Sequence, residues 1–143
     1  MSVDSVSNHA SIIPSIRYRD AVKAVQWLSA AFGFQEKLLV PGEDNTIQHA
    51  QLVYGNGMIM LGSARDDNFG RLQSPLASVD SPVSQSVYII VDNVDEHYAV
   101  ACSQGVVVEL APEDQPYGGR LYSCRDFEGN LWSFGDYNPW QDQ

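Results

Sequence analysis

The chain repeats one order of predicted elements, and this repeat constrains the fold more than any other feature. The order is strand, helix, strand, strand, strand, and each copy ends in a hairpin with Gly-Asn in or beside its turn. Asp20 to Gly33 spans the same interval as Asp92 to Gly105. One helix covers one face of its sheet and leaves the other face bare, so two such units should curl their sheets toward each other. We therefore expect an α+β fold: two βαβββ modules form an eight-stranded, incompletely closed sheet around a cleft, with the helices outside.

The first copy has clear helix signals. Asp20 is a plausible N-cap, apolar residues follow at near-helical spacing, and Gly33 is the expected stop. Pro14 suggests an edge position for the first strand. The predicted strands are Ile12–Arg17, Phe34–Val40, Ile47–Tyr54 and Gly57–Leu61.

The second copy begins with a helix capped by Asn93, with Glu96 three residues later, that runs to about Gln104. Residues 111–119 read as a loop. The predicted strands are Ser86–Val91, Val106–Leu110, Leu121–Arg125 and Leu131–Asp136.

The last two of these strands form one hairpin, in which Asp126 to Gly129 make the turn. Trp132 and Phe134 share a face that should pack on a core, whereas Ser133 and Gly135 share the other. We expect the small face to leave room for a ligand.

The length of 143 residues fits one domain. We assign module one to about residues 11–62 and module two to about 85–138. Residues 63–84 are rich in Ser, Asp, Asn, Pro and Gln, and they read as a crossover or a lid without much regular structure.

The formal net charge is −10, which argues against nucleic acid and anionic membrane surfaces as partners. The two cysteines, Cys102 and Cys124, do not make a disulfide framework. We therefore expect a cytoplasmic protein. We also expect a homodimer and a small-molecule ligand.

Three stretches carry a family resemblance that covers nearly the whole chain: IPSIRYRDAVKAVQWLSAAFGF, VDNVDEHYAVACSQG and PYGGRLYSCRDFEGNLWSFGDYNPW. They resemble the vicinal oxygen chelate superfamily, which includes glyoxalase I, bleomycin resistance proteins and extradiol dioxygenases. The closing stretch is especially similar to the glyoxalase/bleomycin-resistance-like subgroup. The resemblance leaves open whether the cleft lies within one chain or is shared across a dimer.

Metal-dependent members of this superfamily place four ligands on the cleft side of four strands. The resemblance carries these positions onto Ile13, Gln51, Ser86 and Ser133, none of which is His or Glu. Catalytic metals need roughly three good N, O⁻ or S⁻ donors. We therefore expect no cofactor and no divalent metal, with His49 as the candidate ligand of a displaced site if the alignment slips.

If Gln51, Ser86 and Ser133 face the cleft, the two-residue period of a strand adds further residues to that face. The opposite faces are more apolar, as a helix-covered face should be. The predicted ligand-binding residues are Ser15, Arg17, His49, Gln51, Met60, Ser86, Tyr88, Tyr122 and Ser133.

Several of these residues have plainer interpretations. Arg17 also suits a surface ion pair, His49 a structural hydrogen bond and Tyr88 the core. Tyr117, Tyr122 and Trp140 also suit the rim of the cleft or a dimer surface.

The pattern favours a metal-independent protein that binds a planar or drug-like molecule through aromatic and Met surfaces, with Arg17, His49 and Gln51 as polar anchors. The alternatives are a lyase or dioxygenase with a displaced metal site, metal-free acid/base chemistry through His49 or Tyr88, and a partner-binding domain that uses residues 63–84.

Overall fold

The computed structural model describes residues 8–141, which form two helices and eight strands. The chain divides into two compact units, one up to Pro75 and one from Leu76 onward. The first contains β1 (Ser15–Tyr18), α1 (Ala21–Phe32), β2 (Gln35–Pro41), β3 (Ile47–Tyr54) and β4 (Gly57–Ser63). The second contains β5 (Val87–Ile90), α2 (Val94–Ser103), β6 (Val107–Asp114), β7 (Arg120–Arg125) and β8 (Leu131–Gly135). The predicted α+β class with two βαβββ modules is confirmed.

Each module contains one four-stranded mixed sheet, and the two sheets have equivalent strand orders. The order is β1-β4-β3-β2 in the first module and β5-β8-β7-β6 in the second. The first strand of each module pairs in parallel with the last, and all other pairs are antiparallel. The internal repeat seen in the sequence is therefore a repeat of topology.

The helix α1 begins and ends as its sequence predicts. The Asp20 carboxylate accepts a hydrogen bond from Lys23 N at 3.0 Å, which satisfies one free N–H of the first turn. Gly33 ends the helix with a φ of 91°, a left-handed conformation that glycine adopts without a steric penalty. Leu28 of α1 is fully buried, and such burial contributes about 1.5–3 kcal/mol. This helix packs on one face of its sheet, where Leu52 and Leu61 are also buried.

The helix α2 is more polar than α1 and attaches to its sheet through aromatic contacts. Asn93 caps it by accepting from Glu96 N at 3.0 Å and donating to the Glu96 carboxylate at 3.3 Å, as predicted. The His97 ring packs against Phe134 in a tilted arrangement, with ring centroids 4.3 Å apart. Its Nδ1 lies 2.6 Å from the Tyr122 hydroxyl. These contacts place α2 over the side of the second sheet that carries Trp132 and Phe134, both fully buried.

Several predicted strand ends are off by one or two residues, and the two largest errors lie at prolines. Strand β1 begins at Ser15, not Ile12, because Pro14 has no N–H to donate, and its carbonyl accepts Met60 N at the edge of the sheet. Residues 111–114 belong to β6, not to a loop. A register shift between Leu110 and Glu113 accommodates Pro112 within the strand.

The final hairpin and the crossover follow the prediction. The Asp126 carboxylate accepts hydrogen bonds from Glu128 N, Asn130 N and Trp132 Nε1, which builds the turn from one buried side chain. Gly129 in that turn has a φ of 97°. Residues 64–86 contain no helix or strand, in agreement with the irregular crossover. Within residues 8–141, neither helix is long and apolar enough to cross a membrane.

Candidate functional site

Each sheet has one face that its own helix does not cover, and we call these the first and second open faces. On the first, strand pairing aligns Met60 with both Ser15 and Gln51. Arg17 is paired with Gly62, two residues along the same strands. Five predicted ligand-binding residues thus share this face: Ser15, Arg17, His49, Gln51 and Met60. The sequence did not assign Met60 to either face of its strand, and the strand register places it on the first open face.

The first open face combines exposed apolar side chains with one polar pair. Leu38 and Val40 of β2 are 43% and 38% exposed, although both are large hydrophobic residues. Gln51 donates a hydrogen bond from Nε2 to His49 Nε2 at 3.1 Å. The pair keeps the Gln51 carbonyl oxygen and the second imidazole nitrogen available for other partners, since neither takes part in this bond.

Arg17 lies deep in the first open face. It is 7% exposed, and its guanidinium lies across Gly62, where an added Cβ would come within 2.6 Å of Arg17 Nη1. Glycine at position 62 therefore makes the space for this side chain. Arg17 Nη1 donates to the Ser63 carbonyl at 3.3 Å. Arg17 is thus not the surface ion-pair residue that the plainer interpretation offered.

Residues 65–69 of the crossover complete the surroundings of Arg17. The Phe69 ring centroid lies 5.1 Å from Arg17 Cζ, in a cation–π arrangement. Burial lowers the pKa of the Arg17 guanidinium, the nearby Arg65 charge lowers it further, and Asp67 acts in the opposite direction. Asp67 itself is bound to Arg65 Nε at 2.7 Å and to Gly70 N at 2.8 Å.

The second open face carries hydroxyl groups beside apolar residues. Tyr88 is paired with Ser133, and Ser133 with Ser123, whose hydroxyls are 2.7 Å apart. Tyr88 is 39% exposed, so it is not a core residue. Further exposed apolar side chains on this face are those of Ile90 and Leu110, at 38% and 61%.

The space beside Gly135 is filled by the protein itself. An added Cβ at Gly135 would lie 2.8 Å from the Tyr88 hydroxyl oxygen and 3.1 Å from Tyr88 Cε1. The Tyr88 hydroxyl donates to the Tyr137 carbonyl at 2.6 Å, which holds the ring in place. Burial raises the pKa of Tyr88, and the charges nearby raise it further. Tyr88 therefore fills the space beside Gly135, on the face where the sequence led us to expect room for a ligand.

Two predicted site residues lie elsewhere. Tyr122 is fully buried on the opposite side of the second sheet, beneath α2, where it contacts His97 and stacks on Phe134. It therefore does not line the open face, since a one-residue offset along a strand reverses the side-chain direction. Ser86 is exposed and precedes the first residue of β5.

The side chains at the four positions implied for a metal do not make a ligand set. Ile13 offers no donor and lies before β1, while the hydroxyl of Ser133 is bonded to another serine. In the part of the chain that the structure describes, no group of three or more His, Cys, Asp or Glu side chains could hold a metal ion. Amide and neutral hydroxyl oxygens are weak ligands for catalytic transition metals. These residues therefore do not fit the family's metal centre.

Sequence reasoning missed three residues near the predicted site: Ser123, Arg65 and Phe69. Ser123 could have been predicted from the sequence, because a hairpin turn centred on residues 126–130 pairs positions 123 and 133. Arg65 and Phe69 lie in the irregular crossover, where no periodic pattern assigns a side chain to a face.

With this geometry in place, the comparisons with known proteins identify the family. Residues 7–134 match the Glyoxalase/Bleomycin resistance protein/Dioxygenase superfamily, and the chain belongs to it. Uncharacterised proteins of Mycobacterium bovis and Mycobacterium tuberculosis are 28% identical over 132 residues, 92% of this chain. The match covers 86% of the first relative and 76% of the second.

Solved structures agree with the fold. The structure of TioX from Micromonospora sp. ML1 has a TM-score of 0.71 and 29% identity, covering 90% of this chain and 99% of that one. TnmS3, an antibiotic binding protein from Streptomyces sp. CB03234, has a TM-score of 0.62 and 21% identity, covering 88% and 97%. FosX, a fosfomycin resistance protein from Listeria monocytogenes, has a TM-score of 0.66 and 14% identity, covering 91% and 94%.

Proposed function

We propose that this protein binds a small, planar or drug-like organic molecule at the open faces of its sheets and does so without a metal ion. The observation that carries this proposal is the chemistry of those faces. Large apolar side chains such as Leu38, Val40 and Leu110 remain 38–61% exposed on these faces, which the helix of each module does not cover. A few polar groups, including Gln51 and Ser133, lie among them.

Ligand sites in proteins commonly have this composition. An apolar lining contributes most of the binding free energy, and a few placed polar groups fix the orientation of the ligand. Large apolar side chains left exposed together on one face favour a binding surface over a plain solvent surface. Acid/base catalysis is the alternative function. Tyr88 already uses its hydroxyl proton in the bond to the Tyr137 carbonyl, so His49 is the remaining candidate base.

The family membership is compatible with this proposal. The fold that this chain shares with TnmS3 is able to form an antibiotic binding protein, as the name of that protein states. The support is for the fold's capacity to bind such molecules, and the identity of the ligand has to come from experiment.

A ligand screen tests the proposal. Purified protein is titrated with a panel of planar and peptide antibiotics, and binding is followed by calorimetry with and without EDTA. We expect saturable binding by at least one compound, unchanged by EDTA. The absence of binding across the panel would contradict the proposal, and binding that is lost with EDTA would contradict its metal-free part.

Matched variants then locate the ligand. Leu110→Glu introduces a charge on the second open face, whereas Val100→Glu introduces the same charge on the exposed side of α2, where Val100 is 46% exposed. A charge facing an apolar ligand should weaken binding, because its desolvation is costly. We expect Leu110→Glu to reduce affinity by about tenfold or more and Val100→Glu to leave it unchanged.

The homodimer remains part of the proposal. Strand β6 is an edge strand, and Val107 and Leu110 on it are 55% and 61% exposed. An edge strand with exposed apolar residues is a favourable surface for pairing with another chain. Light scattering coupled to size exclusion measures the mass directly, and a value of one 15.8 kDa chain at all concentrations would exclude the dimer.

A further inference from the structure

We propose that Arg17 binds an oxyanion group of the ligand, a carboxylate or a phosphoryl group, so that the small molecule bound at the first open face is acidic. This inference rests on the proposed function and specifies the chemical class of its ligand. It is carried by the incomplete pairing of one buried guanidinium.

The guanidinium of Arg17 uses little of its hydrogen-bonding capacity. An arginine side chain has five N–H donors, and among residues 8–141 that of Arg17 makes one hydrogen bond, from Nη1 to the Ser63 carbonyl. Its Nε is buried and has no hydrogen-bond partner among those residues. A buried charge is normally paired, because an isolated one loses its hydration without compensation.

The surrounding charges do not supply the missing partner. No carboxylate of the described chain lies within 4.0 Å of the Arg17 guanidinium. Asp67 is near enough to influence Arg17, but its oxygens are engaged by Arg65 Nε and Gly70 N. Arg65 adds a second positive charge, which Asp67 neutralises, so these three groups keep a net charge of +1. The local field therefore favours an incoming anion.

The free edge of Arg17 has the geometry that oxyanions prefer. Because Nη1 is bonded to Ser63, the edge formed by Nε and Nη2 remains, and these two N–H groups point in parallel. Such an edge binds two oxygens of one carboxylate or phosphoryl group at once. A lysine at this position would present a point charge without the fork.

Because Arg17 Nε is buried, an oxyanion reaches this edge only after a neighbouring side chain moves, and Phe69 is the side chain that the structure shows against the guanidinium. Its ring lies over the guanidinium, and the residue is 46% exposed, so moving it uncovers less apolar surface than moving a core side chain would. The same ring is able to stack on a planar part of the ligand after it moves. An acidic molecule with a planar apolar body therefore satisfies both Arg17 and the exposed apolar residues of this face.

The direct test observes the Arg17 Nε–H signal by NMR in ¹⁵N-labelled protein, assigned from its absence in Arg17→Lys. The probes are sodium benzoate, inorganic phosphate and the neutral benzamide, at constant ionic strength. We expect a saturable shift with benzoate or phosphate, in the millimolar range that suits such small probes, and none with benzamide. A benzoate response alone identifies the carboxylate form, and a phosphate response alone the phosphoryl form.

Matched variants give a second measurement. Arg17→Met keeps most of the side-chain length without charge, and Arg71→Met removes a 68% exposed arginine from the crossover as the control. We expect Arg17→Met to weaken binding of the responding probe by about tenfold or more, and Arg71→Met by less than about twofold.

The outcomes separate this inference from the proposed function. If neutral compounds bind the protein but no oxyanion shifts the Arg17 signal, the inference is wrong and the function stands. If no compound of any charge binds, the proposed function fails. If Arg17→Met and Arg71→Met weaken binding of the probe equally, the attraction is nonspecific, and the inference is also overturned. Should Arg17→Met fail to fold, the titration of the unmodified protein decides.

Discussion

The two modules share one topology but fill the space over a glycine of the last strand from different positions of the first strand. Arg17 is paired with Gly62 itself, whereas Tyr88 is paired with Ser133, two residues before Gly135. In each, a glycine of the last strand lies beside the first strand, at Gly62 and Gly135, and a long side chain crosses it. In the second module that side chain is Tyr88, and its hydroxyl donates to the Tyr137 carbonyl. In the first it is Arg17, whose guanidinium makes a single hydrogen bond among the described residues. The repeat thus supplies a scaffold twice, but it leaves a strong donor group available in only one copy.

The largest expected effect concerns the turn between β7 and β8, which a buried carboxylate builds in the second module. Asp126→Ala would leave Glu128 N, Asn130 N and Trp132 Nε1 without their acceptor. We expect the free energy of unfolding to fall by about 3 kcal/mol, since unpaired buried donors are costly. Urea denaturation measures it. The corresponding turn of the first module contains the exposed Asn56, so Asn56→Ala should cost less than about 0.5 kcal/mol. A similar loss in both variants would contradict the stated role of Asp126.

The two glycines offer the next test. A Cβ at Gly135 meets the Arg120 carbonyl at 2.9 Å as well as Tyr88, and backbone cannot give way easily. At Gly62 the closest atom is Arg17 Nη1, the end of a flexible side chain, with the Gln48 carbonyl at 3.0 Å. We expect Gly135→Ala to cost about 2 kcal/mol and Gly62→Ala about 1 kcal/mol. Urea unfolding tests this, and we expect the lower midpoint for Gly135→Ala. A lower midpoint for Gly62→Ala would show that Arg17 gives way less easily than Tyr88.

Removing the polar groups of the two crossing side chains should change stability in opposite directions. Arg17→Met takes an incompletely paired charge out of a buried site, and we expect stability to rise by about 1 kcal/mol. Tyr88→Phe removes a made hydrogen bond and should lower stability by about 0.5–1 kcal/mol. Both are measured by thermal and urea unfolding without ligand. Destabilisation by Arg17→Met would mean that the guanidinium is needed for the fold itself.

The smallest effect is a pH dependence that belongs to the second module, where both cysteines lie. Burial raises the pKa of Cys124 from 9.0 to about 12. The folded state therefore holds this proton at a pH where the unfolded state has released it, and stability falls as the pH rises above 9. At pH 9.5 the loss should be below about 1 kcal/mol relative to pH 7, and absent in Cys124→Ala. The comparison is made by urea unfolding at the two pH values in a Cys102→Ser background. An identical pH dependence with and without Cys124 would refute it.

Much of the fold could be predicted because its signals are local. Asp20 and Asn93 cap the helices as expected, and Asp126 to Gly129 turn the last hairpin. Strand ends were less predictable near proline, since the effect of Pro14 and Pro112 depends on which neighbour each strand pairs with. The two-residue period assigned Ser15, Arg17 and His49 to one face with Gln51, and the strand register places them there. Tyr122 was included without a strand-face argument, and the register places it with Phe134 on the helix-covered side of the sheet.

The sequence by itself determined the repeated βαβββ order, the helix caps and the alternation of apolar and small residues along β8. These depend on interactions within a few residues, which composition and spacing reveal. The tertiary structure alone decided that Tyr88 fills the space over Gly135 and that Arg17 is buried over Gly62 beneath Phe69. Those contacts join residues 47, 45 and 52 positions apart, across strand pairs and an aperiodic crossover. No local pattern encodes the distance between such residues, because it is set by the packing of the whole module.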